Sequence, residues 1–433
     1  MSEHVELPRR WTPPTLYLLL DLPYGAAVGY LSVAVPFWLA ARGVPLSQIA
    51  ALSATAFLPH ALKIFWVPLL DVGSYRKVWY LAMVACTAIL LAVLSVYPGL
   101  VDHLWLYTAL LTTAQVTATT GHAALNALVA ITTHERDKAK AAGYYMASNV
   151  GGTNLLGALA LWLAAHTSPG VAGLVLAGIV FGTGAGAVVI SDPRKVDAAI
   201  ARAGSVARAL WHHFVEVLGA LWRTVRSRDG FTGLLISLAP VGCGALTNLF
   251  SGIAQDYGAG QRLVEVVNGI GGGLAGALGS LVGGYLADRM NRRLAYALAG
   301  GVTALSALAM LVAPMTPFTY AWGTLAYNFA NGIAFATWAG MVLEVVGHTA
   351  AVATSYALFV ASSNLAISYV TALDGWASGF RGLSGTWARA AGARGALAFD
   401  AAITFVGIGM LLVMVAVVRR MKVVGVAVAP PVD

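Results

Sequence analysis

Apolar stretches long enough to cross a membrane alternate with short polar segments along the chain. A helix needs about 20 apolar residues to cross a bilayer, and Pro, Gly and charged residues separate the stretches here. The pattern predicts twelve spans, at 15–41, 46–70, 77–97, 103–132, 138–166, 170–190, 230–255, 261–287, 293–313, 317–345, 350–374 and 396–418. We therefore expect an all-α membrane protein with two six-helix bundles, over residues 1–190 and 230–433.

Residues 191–229 form a connector between the two predicted bundles. Its apolar residues recur at helical spacing, and its arginines supply a basic component suited to anionic headgroups. This pattern predicts an amphipathic helix on the cytoplasmic membrane surface. The other interpretation is a regulatory or partner-binding helix.

Two short charged turns occupy the same relative place in the two halves. Asp71 closes one apolar span and Asp288 closes another, and bases follow both. The two aspartates are 217 residues apart in a chain of 433. Such spacing indicates an internal duplication, which is typical of secondary transporters.

The composition excludes an ordinary soluble protein. Hydrophobic residues make up 59% and charged residues 10%, against roughly 25% charged in a soluble domain. The net charge of +8 follows from the predicted topology, because only six of the 26 Lys and Arg lie outside the predicted cytoplasmic segments. These six are Arg42, Lys63, Arg262, Arg381, Arg389 and Arg394. The positive-inside rule then predicts cytoplasmic N- and C-termini and a multi-pass protein of the inner membrane, and no contiguous basic face favours nucleic-acid binding.

The end of the second span carries the most specific motif. It holds Leu58, Pro59, Lys63, Trp66 and Asp71 in a segment that resembles "LP…LK..W.PL.D". This segment is similar to one in the AmpG-type muropeptide permeases and their relatives, the acetyl-coenzyme A transporters and some siderophore importers, within the major facilitator superfamily. The Leu22-Pro23-Tyr24-Gly25 segment and the Ala353-Thr354-Ser355-Tyr356-Ala357-Leu358 segment also resemble that family. The resemblance implies alternating access, with a substrate cavity between the bundles.

In that superfamily the two charged turns form a cytoplasmic gating latch. The residues that the resemblance assigns to it are Asp71, Arg76, Lys77, Asp288, Arg289, Arg292 and Arg293. An acid at a helix end can pair with bases or face a neighbouring helix N-terminus, and so hold the bundles together. A solvated topological anchor is the other interpretation.

The fourth span departs from the family. Members usually carry two aspartates four residues apart, where this chain has His122 and Asn126. Together with Gln115 and Thr119 these residues lie on one helix face, which we expect to face the bundle interior or a water-filled cavity. The position of the site is thus retained while its charge has changed, which puts proton-coupled muropeptide uptake in doubt.

A buried charge is costly in a membrane, so Asp21 in the first span needs a reason. Asp21 and His122 are predicted to form a titratable pair across the first bundle, since histidine changes charge near neutral pH. Proton coupling by this pair is one interpretation. A substrate-binding His122 and a satisfied structural pair are the others.

Two polar faces on the seventh and tenth spans are the counterparts in the second half. They contain Asn248, Ser251, Gln255, Tyr320, Tyr327, Asn328, Asn331 and Trp338. They are predicted either to line the substrate cavity or to join helices to each other. Lys63 is expected to extend toward the cytoplasmic surface, and Asp374 and Asp400 are expected to reach water at outer helix ends.

The preferred hypothesis is a secondary active transporter for a polar or amphiphilic solute. Proton-coupled import of a muropeptide-, acyl-CoA- or siderophore-like substrate is its most specific form. An uncoupled facilitator or efflux permease is the second hypothesis, and a non-transporting receptor or enzyme is the third. Since no catalytic constellation stands out, we expect no enzyme, cofactor or metal, and a monomer whose partners are the substrate, protons and lipid.

Overall fold

The computed structural model describes residues 11–67, 70, 75–192, 206–346, 352–379 and 392–424. All regular elements in these residues are helical. They are α1 (Leu16–Ala41), α2 (Leu46–Leu62), α3 (Arg76–Val96), α4 (Leu104–Thr132), α5 (Lys138–His166), α6 (Pro169–Ala185), α7 (Val206–Arg226), α8 (Arg228–Leu238), α9 (Phe250–Ile253), α10 (Gln261–Arg289), α11 (Arg292–Val312), α12 (Pro317–Val346), α13 (Val352–Ser378) and α14 (Ala393–Val424). The predicted all-α class is confirmed, and α7 lies in the predicted connector.

Within the described residues, seven helices are long and apolar enough to cross a membrane. They are α1, α3, α10 and α11, the stretch Pro169–Val189 that contains α6, and segments of α13 and α14. The long helices α4, α5 and α12 are not among the seven. The count of twelve spans and the cytoplasmic termini therefore stay predictions.

Helix α1 is divided at Asp21. A first segment ends at Leu20 and a second begins at Leu22. Pro23, the second residue of the new segment, has no N–H to donate, so one helical hydrogen bond is missing at the joint. The division places a fully buried carboxylate at a helix joint inside the protein.

Close packing between α1 and α5 holds the joint at Asp21 in place. Gly29 lies so near α5 that a Cβ there would be 2.1 Å from the carbonyl oxygen of Thr153. Gly157 approaches Val33 of α1 in the same way, at 2.8 Å. Only glycine permits this backbone approach, a packing mode common between membrane helices.

The predicted span at 230–255 is not one continuous helix, because the structure interrupts it between α8 and α9. Gly244 has a left-handed backbone with φ of 77°, a conformation that glycine adopts without a steric penalty. The break frees backbone carbonyl groups, which need donors in a membrane. Asn331 donates to the carbonyl of Gly242 (3.1 Å), and Tyr369 donates to the last carbonyl of α8 (2.7 Å).

Several helix contacts join the halves of the chain, and two of them are extensive. Helix α2 packs along α13, and a Cβ on Gly375 would lie 2.1 Å from the Cβ of Ala50. Helix α5 contacts the start of α10, where Gln261 donates to the carbonyl of Leu161. In the predicted topology both contacts reach the outer end of the molecule. The division into two six-helix bundles stays a prediction.

Candidate functional site

Asp21 and His122 are in contact in the first half of the chain. The carboxylate at the α1 joint lies 2.9 Å from His122 Nδ1 on α4. The Asp21 side chain is fully buried and the His122 side chain is 9% exposed. At this distance the imidazole N–H donates to the carboxylate, so the pair can hold a proton at one defined place.

The second imidazole nitrogen also has a partner. Tyr145 of α5 places its hydroxyl 2.7 Å from His122 Nε2 and 3.0 Å from Nδ1, and Tyr24 stacks on the imidazole with ring centroids 3.9 Å apart. In the neutral form, Nδ1–H donates to Asp21 and Nε2 accepts from the Tyr145 O–H. When His122 is protonated, both nitrogens donate, and the Tyr145 oxygen becomes an acceptor. The site therefore accommodates either protonation state by rotating one hydroxyl.

A second buried histidine is fixed beside this pair. Tyr24 donates to His60 Nδ1 (3.1 Å), and His60 Nε2–H donates to the amide oxygen of Gln115 (3.2 Å). Gln115 in turn donates to the carbonyl of Ala27 (2.9 Å). Every ring nitrogen of His60 is thus occupied in its neutral form, which makes it a positioning residue for Tyr24.

Lys63 belongs to the same electrostatic environment. It is half-buried at the end of α2 and lies within electrostatic range of Asp21, His60 and His122. The predicted extension of Lys63 toward the cytoplasmic surface stays a prediction. One carboxylate oxygen of Asp21, Oδ2, is buried and has no hydrogen-bond partner within 3.5 Å, although the Asn149 side chain of α5 interacts with the carboxylate. Asp21 also lines a small cavity of about 10 Å³ between α1, α3 and α4, the size of one water molecule.

The predicted polar face of α4 divides into two parts. Gln115 and Thr119 are fully buried and use their side chains in hydrogen bonds, Thr119 to the carbonyl of Gln115 (2.8 Å). His122 is slightly exposed and Asn126 is exposed. Of the four residues, only these two reach a surface that a solute could contact, while the other two hold the face in place.

Several predicted residues of the second half bind other helices. Ser251 accepts a hydrogen bond from Asn268 (2.9 Å), which also donates to the Tyr320 hydroxyl (2.8 Å). Tyr320 donates to the backbone of α9 at the carbonyl of Phe250 (3.1 Å). Asn248 donates to Thr371 on α13 (3.4 Å). These contacts join α9, α10, α12 and α13.

The remaining predicted residues lie farther apart along the second half. Asn331 caps the broken backbone described above, and Asn328 donates to a carbonyl within its own helix (2.9 Å). Trp338 is buried and donates to Ser237 (3.3 Å). Gln255 is exposed. The structure does not gather these residues into one cluster, and their cavity role stays a prediction.

Two carboxylates that were expected to reach water are buried instead. Asp374 of α13 is 0% exposed and Asp400 of α14 is 1% exposed. Tyr327 of α12, a predicted cavity residue, places its hydroxyl 3.2 Å from both oxygens of Asp400. The expectation failed for Asp374 because α13 continues to Ser378, beyond the predicted end of its span, so this residue does not lie at a helix end.

The charged turns are described in part. Asp71 lies outside the described residues. The Lys77 ammonium donates to the carbonyl of Ile190 (2.9 Å), and its backbone N–H donates to Asp192 (2.9 Å), so both bonds stay within the first half. Arg76 is half-buried beside Lys77.

In the second turn, Asp288 and Arg289 are exposed, and Arg289 lies over the ring of Tyr285 at 4.3 Å. Arg292 lies 3.5 Å from the carbonyl of Gly340, and Asn291 caps α11 through the backbone N–H of Arg293. These described contacts lie within the second half, so the gating role stays a prediction.

Comparison with known proteins gives a family and a fold. A family model described as Major Facilitator Superfamily matches residues 18–371. The crystal structure of the nucleoside transporter NupG is similar with a TM-score of 0.68, at 11% identity over 92% of this chain and 98% of that one; a point mutant of that transporter gives 0.69 at 12% identity over the same shares. A crystal structure of the peptide transporter POT in complex with sulfate has a TM-score of 0.63, at 13% identity over 96% of each chain.

Proposed function

This chain belongs to the Major Facilitator Superfamily, and from that premise we propose that it is a proton-coupled transporter whose proton site is the Asp21–His122 pair. Membership makes it an integral, multi-pass membrane transporter of a small molecule and not an enzyme. The carrying observation is the 2.9 Å contact between a fully buried carboxylate and an imidazole. Family membership does not by itself assign a proton site, so this assignment rests on the residues of this chain.

The surroundings of the Asp21–His122 pair suit reversible proton binding. Asp21 holds one oxygen against His122, leaves Oδ2 without a hydrogen-bond partner and lines a cavity of water size. Tyr145 accepts or donates as the imidazole changes its charge. Loading therefore requires little rearrangement, since the same three side chains remain hydrogen-bonded in both states.

Coupling follows from where the pair lies. Asp21 is at the joint of α1, His122 is on α4 and Tyr145 is on α5. A change in the charge of the pair alters the attraction between these helices, and Lys63 at the end of α2 experiences the same change. Proton binding thus favours one arrangement of the helices over another, which is the requirement for coupling to alternating access.

The substrate is proposed to be a polar or amphiphilic solute. Of the predicted polar face of α4, His122 and Asn126 reach a surface, and the ring of Tyr24 stacks on His122. Such a surface binds amide, sugar or nucleotide groups through hydrogen bonds and stacking. The motif at the end of α2 favours a muropeptide-, acyl-CoA- or siderophore-like compound. The similar nucleoside and peptide transporters share the fold at 11–13% identity, so they leave the substrate class open.

The proposed setting is the inner membrane, with a monomer whose termini are cytoplasmic. In that orientation the contacts of α2 with α13 and of α5 with α10 close the outer side. The basic turn after Asp288 then faces the cytoplasm, as the positive-inside rule requires.

The test begins with a thermal-shift panel of muropeptides, acyl-CoA species and siderophores on the purified protein, to find a transported compound. Uptake of that compound into proteoliposomes is then measured with and without an imposed pH gradient. Asp21→Asn and His122→Ala are expected to lose the stimulation by the gradient, and Tyr145→Phe to reduce it. Asp102→Asn is the matched control, because Asp102 is an exposed carboxylate away from the pair.

The outcomes separate the candidate functions. Full stimulation by the gradient in both Asp21→Asn and His122→Ala would refute the proton site. Substrate flux without proton flux in the native protein indicates an uncoupled facilitator or efflux permease. If cysteine pairs that lock the cytoplasmic turns open or closed change no flux, a non-transporting role is favoured.

A further inference from the structure

The second half contains a pair of carboxylates that no transport role considered above uses. Asp374 on α13 and Asp400 on α14 are 0% and 1% exposed. They lie within electrostatic range of each other. Two aspartates enclosed together inside a membrane protein are costly, so such residues are expected to have a function.

Among the described residues, the groups that face the pair supply no positive charge. In the described part of the chain, the titratable neighbours of Asp374 and Asp400 are each other, Tyr327 of α12 and Cys243 from the break between α8 and α9. None of these is a cation. Asp21, in contrast, has an imidazole at 2.9 Å and an ammonium group in electrostatic range. The two sites therefore differ in whether nearby groups can balance the negative charge.

Hydrogen bonding also leaves the pair incomplete. Tyr327 places its hydroxyl at 3.2 Å from each oxygen of Asp400. Both oxygens of Asp374 are buried and have no hydrogen-bond partner. A buried carboxylate without a donor or a countercharge is among the least favourable groups in a protein interior, so Asp374 requires a positive ligand.

We propose that Asp374 and Asp400 bind one proton between them and form a second proton site, separate from the Asp21–His122 pair. A hydronium ion transfers its proton to an oxygen of one carboxylate and leaves as water, and no other bond forms or breaks. The resulting carboxylic acid donates to the other carboxylate, as in the aspartic-protease pair that shares one proton. One negative charge is removed, and Asp374 gains the hydrogen bond that it lacks.

A proton fits this place better than a metal ion. A cation such as Na⁺ needs several oxygen ligands around one point. The Tyr327 hydroxyl points its proton at Asp400, and the hydroxyl of Thr371 donates to the carbonyl of Ala245 (3.4 Å). These hydroxyls are thus already engaged, that of Tyr327 with Asp400 and that of Thr371 with Ala245 and Asn248, whereas a proton requires only the carboxylate oxygens themselves.

The site is adjacent to the contact that joins the halves. Asp374 precedes Gly375, which packs against Ala50 of α2. Because both carboxylates are sealed in this arrangement, exchange of the proton requires α13 to move away from α2. On the proposed transport cycle, which this step presupposes, the second site exchanges its proton when that contact opens.

The test needs no substrate. Full-length protein is purified in lipid nanodiscs, and infrared difference spectra are recorded during a pH titration in sodium-free buffer. The carbonyl stretch of a buried, protonated carboxyl group is expected at neutral pH. It should be absent in Asp374→Asn and in Asp400→Asn and unchanged in Asp102→Asn. Tyr327→Phe keeps both carboxylates and should shift the band without abolishing it.

Asp21→Asn separates the two sites. It is expected to lose gradient-driven uptake while retaining the band, so either proposal can fail without the other. A native spectrum with no protonated carboxyl, or a band that survives both Asp374→Asn and Asp400→Asn, would overturn the second site. Thermal stability that rises with NaCl over choline chloride in native protein, and not in these two variants, would identify Na⁺ as the ligand and equally overturn the proton assignment.

Discussion

Gly375→Ala is expected to shift the protein toward a form that is open at the outer end. Gly375 lies on α13 where that helix crosses α2, and an added Cβ would be 2.1 Å from the Cβ of Ala50. Ordinary carbon–carbon contacts are about 3.5–4.0 Å. Neither methyl group can rotate out of the contact. The two helices themselves must therefore move apart.

The size of the shift follows from the cost of overpacking. Extra methyl groups in a packed contact cost about 1–3 kcal/mol, and the cost falls only on the form in which α2 and α13 touch. A difference of about 1–3 kcal/mol changes an equilibrium between two forms by about 5–150-fold. An open form that is rare in the native protein should then become readily detectable.

Spin-label distances provide the assay. Trp105 at the start of α4 and Phe318 at the start of α12 are 74% and 72% exposed and occupy corresponding places in the two halves. Cysteines are placed at these two positions after the native Cys86 and Cys243 are replaced. Gly375→Ala is expected to add a longer distance between the labels to the distribution.

Two variants control the interpretation. Gly301→Ala adds a methyl group in α11 where no atom lies within 4 Å, so it should leave the distances unchanged. Ala50→Gly, combined with Gly375→Ala, removes the Cβ that the new methyl group meets and should restore the native distribution. An unchanged distribution in folded Gly375→Ala, or no recovery in the double variant, would refute the reasoning.

Three further predictions concern the parts that support the sites. Gly29→Ala puts a Cβ 2.1 Å from the carbonyl oxygen of Thr153, so α1 must separate from α5, and thermal unfolding should occur at a lower temperature by an amount that corresponds to about 1–3 kcal/mol. Gly244→Ala imposes a left-handed backbone on alanine and a contact of 2.3 Å with the amide of Asn331; we expect a loss of at least about 1 kcal/mol in denaturant unfolding. Asp192→Asn removes a charge from the N-terminus of α3 and should lower stability by about 0.3–1 kcal/mol at low salt and by less at high salt.

The sequence was sufficient to bring Asp21 and His122 together as a hypothesis. Asp21 and His122 lie in two otherwise apolar spans, and each polar group needs a partner inside a membrane. Each is therefore a candidate partner for the other. The same reasoning missed Tyr145 and Tyr24. Tyrosine is common in membrane helices for reasons unrelated to any site, and its hydroxyl direction depends on how α1, α4 and α5 pack. His60 was also missed, although a histidine in an apolar stretch is itself a signal.

Burial inside the protein was the property that the sequence could not supply for Asp374 and Asp400. Asp374 lay at the predicted end of its span, which placed it at the water boundary. In the structure α13 continues to Ser378, and the start of α14 brings Asp400 beside it. A shift of a few residues in a helix end thus changes a solvated carboxylate into a buried one. Helix ends are the least certain feature of any pattern of apolar residues.

The two proposed proton sites differ in charge, and this difference affects the free energy available to drive transport. In the Asp21–His122 pair, the imidazole can carry the positive charge that balances the carboxylate. The Asp374–Asp400 pair contains two carboxylates and depends on a bound ligand for positive charge. If both sites move a proton in each cycle with a neutral solute, two charges cross the membrane rather than one. Each charge contributes about 2.3 kcal/mol at 100 mV, so one proton supports a solute gradient of about 50-fold and two support one above about 1,000-fold. The Asp374–Asp400 pair can thus add driving force through residues that need not contact the solute.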